Sequence, residues 1–147
     1  MKKQAYMILA AIVLATVAGL SAAKAQVSAN PELVANIPFE FSVGDKTFPA
    51  GEYTVRCINP NSSTKVLQIR SKAGSATALV MTDSVIGKIK DNAQLIFHRY
   101  GNEYFFAQAW MPADSVGMQA PQSKAEKTFE LARGKRATEA VVASTRR

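Results

Sequence analysis

Two side chains stand out for reactivity: the one histidine, His98, and the one cysteine, Cys57. A histidine beside a nucleophile and an oriented carboxylate would make a hydrolytic site, and such sites are recognised by geometry rather than by spacing. No G-x-S-x-G elbow accompanies His98, and no other nucleophile motif is present. Cys57 ends the alternating stretch Tyr53-Thr54-Val55-Arg56-Cys57, which predicts a small buried hydrophobe. A single thiol forms no internal disulfide. A Cys57–His98 pair requires both side chains to fall on one face of a sheet. The carboxylates Glu40, Glu52, Asp83, Asp91, Glu103 and Asp114 are dispersed and fall mostly beside turns or on solvent faces. Glycosidic chemistry would need two of them about 5–10 Å apart across a cleft.

Metal chemistry has only a soft-ligand inventory, Met81, Met111, Met118, His98 and Cys57, which would suit copper(I). Methionines in apolar strands ordinarily fill cores. The chain contains no H-x-x-x-H, C-x-x-C, EF-hand, G-x-G-x-x-G or Walker pattern. The sequence therefore predicts no enzyme, no metal site and no cofactor. Two alternatives stay open: a small hydrolase-like enzyme using His98 with a nucleophile or carboxylate, and a copper-binding protein. For ligand binding, the residues to consider are Trp110, Tyr104 and His98. Tyr104, Phe106 and Trp110 alternate along one strand, with Phe105 and Met111 opposite them. One face of that strand is expected against the core and the other under a helix bearing Phe129.

The elements that must position these residues are short and mostly extended. Ile37, Phe39, Phe41 and Val43 alternate with polar residues, predicting a strand that begins at Pro38 or runs along an edge. The lead before it, Gln26 to Glu32, reads as loose. Strands are expected over 53–57 and 65–71. The run Thr77 to Thr82 (TALVMT) is apolar on both faces, as in a covered strand. Ala93 to Tyr100 and Glu103 to Met111 flank Gly101-Asn102, a tight hairpin turn. That turn sets Arg99 against Tyr104, His98 against Phe105 and Phe97 against Phe106. Pro112 to Pro121 reads as a loop. Ser123-Lys124-Ala125-Glu126 is a capping box opening a helix over 124–133, with Ala125, Phe129 and Ala132 on one face. Arg133 and Gly134 suit its end. Residues 138–144 are expected to return as a last strand, the alternative being a frayed basic tail. Six or seven such strands with one C-terminal helix make an all-β antiparallel sandwich or barrel.

Ahead of this domain, Lys2 and Lys3 precede the apolar run Ala5–Leu20 and the small residues of Ala23-Lys24-Ala25. That order is a secretory signal, with cleavage expected after Ala25. The apolar run is shorter than the about 20 residues of a spanning helix, and no later stretch is long or apolar enough. The expected location is periplasmic or secreted, with 26–147 as a single mature domain. The formal charge of +7 includes Lys2, Lys3 and Lys24; without them 15 basic residues face 11 acidic ones, or +4. Much of that excess lies in Arg133, Lys135, Arg136, Arg146 and Arg147, which predicts no nucleic-acid face.

The stretches ANIPFEFSVGDKTFPAGEYTVR, LVMTDSV, LIFHRYGNEYFFAQAW and SKAEKTFELAR resemble a family of small exported bacterial β-domain proteins of uncharacterised function. The resemblance covers about Ala35 to Ala143. It implies a compact β domain outside the cytoplasm and assigns no catalytic or ligand residue. The expected function is a non-enzymatic, envelope-associated binding or structural module whose partner is a protein, a glycan or an envelope polymer.

Overall fold

Residues 31–134 and 137–146 are described by a computed structural model. Residues 1–30, which include the expected signal segment, and the basic residues Lys135, Arg136 and Arg147 lie outside them. Period-two alternation gives β1 (Glu32–Ile37), β2 (Phe41–Val43), β3 (Lys46–Phe48), β4 (Gly51–Cys57), β5 (Lys65–Ser71) and β6 (Thr77–Ile86). The hairpin β7 (Ala93–Tyr100) and β8 (Glu103–Trp110) follows, then β9 (Val116–Gln119), α1 (Lys124–Arg133) and β10 (Thr138–Arg146). None of these elements is a helix long and apolar enough to cross a membrane.

Eight strands close into an antiparallel barrel in the order β1, β4, β5, β6, β9, β8, β7, β10, with β10 pairing back to β1. The hairpin β2–β3 hangs on β8 through one parallel pair, Ser42 with Phe105. An eight-stranded barrel is just wide enough for side chains to fill. Here Leu33, Ile37, Val55, Leu67, Ile69, Leu95 and Phe97 point inward and are almost wholly buried. Phe41 and Phe48 enter from the hairpin and meet Tyr53 and Phe97, with Phe41 5.0 Å from Tyr53 and 5.3 Å from Phe97, both edge-on. Edge-to-face rings add packing energy beyond their buried area. The Tyr53 hydroxyl donates to the Pro49 carbonyl at 2.6 Å, so its one polar atom is satisfied.

The hairpin register holds as the turn dictates: Arg99 pairs with Tyr104, His98 with Phe105 and Phe97 with Phe106. The Phe97 and Phe106 rings are 5.8 Å apart, and the Arg99 guanidinium lies 5.5 Å from the Tyr104 ring centre. The helix also begins and ends as expected: Ser123 accepts from the Glu126 N–H, and Gly134 takes a left-handed conformation.

Five expectations are corrected. Pro38 ends one strand rather than beginning one, so Ile37 closes β1 while Phe41 and Val43 belong to β2. Proline has no N–H to continue the ladder. Glu32, expected in a loose lead, already lies in β1, paired with Arg56. The loop 112–121 contains β9, held by β6 and β8. TALVMT is not covered on both faces, since Leu79 and Met81 are 62% and 68% exposed. The count of six or seven strands is too low, because β2, β3 and β9 are only three or four residues long.

A bulge in β8 decides the fate of Trp110. Phe97 pairs with Phe106 but Ile96 pairs with Gln108, so Ala107 is an extra residue. One extra residue flips every later side chain to the other face. Phe106 therefore points into the core, whereas Trp110 is turned outward and does not share its face. Gly117 on β9 and Gly87 after β6 lie flat on the indole; a Cβ at either would sit 2.6 Å or 2.5 Å from a ring atom. Replacing Gly117 by alanine is expected to destabilise the fold by about 1–3 kcal/mol through overpacking. The double variant Gly117→Ala, Trp110→Phe should recover part of that loss in urea denaturation, because the smaller ring makes room for the methyl group.

Candidate functional site

Helix α1 lies on the outer wall of β7 and β8, yet the face it presents is largely polar. Glu126 and Glu130 are one turn apart on one face of α1, and Gln122 stands just ahead of the N-cap Ser123. Glu126 is the buried residue of α1, with 3% exposure. Its carboxylate does not close the expected capping box. One oxygen, Oε1, accepts from His98 Nδ1 at 2.6 Å and from the Tyr100 hydroxyl at 3.2 Å. An ionised carboxylate only accepts, which places a proton on Nδ1. Gln122 Nε2 donates to Glu130 Oε2 at 2.7 Å and, more weakly, to the Tyr100 oxygen at 3.5 Å. Apolar support comes from Phe129, whose ring is 5.6 Å from that of Phe105.

His98, Tyr100, Gln122, Glu126 and Glu130 line a cavity of about 320 Å³ that also touches Gln119 and Ala120. The pKa of His98 is raised above 6.5, first by the hydrogen bond to Glu126. Burial opposes the rise, and the charges of Glu126, Glu139 and Glu130 add to it. Glu139 stands on β10 directly across from His98. The pKa of Tyr100 is pushed up to about 12, mainly by burial and then by the neighbouring Glu126 charge.

Such a dyad can hold and release a proton at the imidazole, whose side chain is about one-third exposed. Its histidine makes no hydrogen bond to a serine, threonine or cysteine among the described residues. Cys57 points into the barrel core at 5% exposure, while His98 is on the outside, so the wall separates the two. The same wall divides the soft ligands: Met118 is in the core and Met81 is exposed outside. No group of three histidine, cysteine or acidic side chains is placed to hold a metal among the described residues. Trp110 is 4% exposed, its indole N–H donating to Gln108 Oε1 at 2.8 Å. Tyr104 is half-buried and stacks on Phe39 at 3.8 Å between centroids. Of the three residues weighed for ligand binding, only His98 opens on the cavity.

Sequence reasoning missed Glu126, Tyr100, Gln122 and Glu130 as a unit. The one-turn spacing of Glu126 and Glu130 within the helix was the available signal, but polar residues on a helix ordinarily face water. No family model, curated protein or solved structure matches this chain.

The pair gives the fold a pH dependence whose sign follows from the raised histidine. The folded protein keeps the imidazole proton to higher pH than the unfolded chain does. Its stabilisation is complete below about pH 6.5 and is lost as pH rises through the folded-state pKa. Denaturation midpoints should therefore fall as pH rises above about 6.5, and His98→Gln should flatten that slope. A histidine resonance titrating at or below 6.5 would contradict the pairing. Above pH 10 a second loss is expected as Tyr100 and Tyr53, both raised by burial, are forced to ionise; Tyr100→Phe should remove the Tyr100 share.

Proposed function

We propose that this protein is an exported, non-enzymatic β-barrel module that acts through its outer surface as an envelope-associated binding or structural component. The observation that carries this reading is the filled barrel. Phe41, Phe48, Tyr53 and Phe97 occupy the interior that other eight-stranded barrels can use for a ligand. Recognition then falls to the exterior. His98 and Glu126 spend their strongest contact on each other, docking α1 on the wall. The signal pattern of residues 1–25 and the resemblance to exported β-domain proteins support the compartment.

Two measurements test this. The mass of the protein recovered from the periplasm or medium should begin at Gln26; retention of the full chain in the cytoplasm would overturn the export reading. Capture on immobilised protein from envelope extract should retain a discrete component, and His98→Gln should retain it equally. A hydrolase-like role is the second reading, favoured by the 2.6 Å contact between His98 and Glu126 beside an open cavity. It predicts turnover of simple ester or amide substrates that His98→Gln abolishes at pH 7, where the folded variant still shows native circular dichroism.

A further inference from the structure

The outer wall of β1, β4 and β5 carries a small basic groove. In β4 the side chains of Tyr53, Val55 and Cys57 enter the core, so Thr54 and Arg56 point outward. In β5 Leu67 and Ile69 point inward, and Gln68 and Arg70 point outward. The antiparallel register sets Arg56 beside Gln68 and Thr54 beside Arg70. Arg56 and Arg70 are therefore diagonal neighbours, roughly 7–8 Å apart along the wall and within reach of one bound group. With Glu32 and Lys72 at the rim, these residues surround a groove of about 220 Å³.

The charges of the groove are not matched. Lys72 is spent on Glu52, at 2.6 Å. Among the described residues, neither Arg56 nor Arg70 forms an ion pair with a carboxylate. Glu32, opposite Arg56 in the β1–β4 register, brings one negative charge against these two positive ones. Arg56 is also held in position: its Nε donates to Gln68 Oε1 at 2.7 Å, which orients the guanidinium and leaves its terminal nitrogens for other acceptors. Two like charges set this close repel each other, and an anion bound between them turns that cost into attraction.

We propose that this groove binds an acidic glycan, with a sugar carboxylate taken by the forks of Arg56 and Arg70 and sugar hydroxyls met by Gln68 and Thr54. The proposal rests on the reading of the barrel as a module that binds through its outer surface, and it names the chemistry of the partner. Planar guanidinium forks match carboxylates with two parallel hydrogen bonds. Each of the seven residues lining the groove is polar or charged. The apolar anchor of a protein partner, the acyl region of a bilayer and a stacked nucleic-acid base all need apolar or aromatic surface, which this groove does not offer. One positive charge in excess suits a polymer with a single carboxylate per sugar better than a dense polyphosphate.

Anisotropy of a fluorescently labelled oligogalacturonate titrated with the purified protein should saturate, and the binding should weaken as salt is raised. Arg56→Gln and Arg70→Gln should each weaken it by about tenfold. Lys127→Gln removes the same charge from an exposed position of α1 and should leave binding unchanged. Native circular dichroism of each variant separates lost binding from lost folding. Dextran of equal length, which has no carboxylate, should not compete. Tighter binding of polyglutamate or of phosphatidylglycerol vesicles than of oligogalacturonate would overturn the proposal, as would an equal loss in Lys127→Gln. If oligogalacturonate does not bind while envelope extract still yields a retained component, the groove proposal fails and the surface-binding reading stands. Retention of nothing from either source ends both.

Discussion

β9 is too short to seal the seam between β6 and β8. It meets β8 only at Gln108 and Ala109 and meets β6 over four residues. A barrel left open there would expose its apolar interior, so other parts of the chain must occupy the gap. The hairpin β2–β3 does so from within, sending Phe41 and Phe48 into the core. The segment after β9 does so from outside, with the Ala120 N–H bonded to the Ala107 carbonyl at 2.8 Å. That segment leads directly into α1. The filled interior, the position of the helix and the bare length of β6 are thus consequences of one short strand.

The helix is attached by an unusual balance of forces. A surface helix normally docks through an apolar stripe, but α1 offers Phe129 together with a row of polar groups. The desolvation of Glu126 is offset by His98 and Tyr100, both of which donate to the same oxygen. Buried charged pairs add little net stability over apolar packing, yet losing one partner is costly. The arrangement therefore specifies where the helix sits more than it strengthens the fold.

Much of the architecture is legible in the sequence because it depends on local chemistry. The Gly101-Asn102 turn fixes its register, and Ser123 and Gly134 fix the helix ends. Residues 138–144 are readable as a strand within β10. What is not legible depends on distant partners. The bulge at Ala107 has no residue signature, and it alone separates Phe106 from Trp110. β9 contains two apolar residues among loop-like neighbours and is a strand because β6 and β8 offer it ladders. Glu126 fits a capping box in sequence, but the tertiary fold presents it with a histidine 28 residues away. The outward exposure of Leu79 and Met81 is equally non-local, since composition alone reads TALVMT as covered.

The position of β10 between β7 and β1 carries a kinetic meaning. β1 lies near the start of the described chain and β10 at its end, yet they are neighbours in the ring. A chain emerging from the ribosome can build the β4–β5–β6 meander and the β7–β8 hairpin from local contacts. It cannot complete the cylinder until the final nine-residue strand arrives. The slow, long-range step is thus reserved for last. Until then the polypeptide lacks a closed cylinder, and β1 and β7 each keep one unpaired edge.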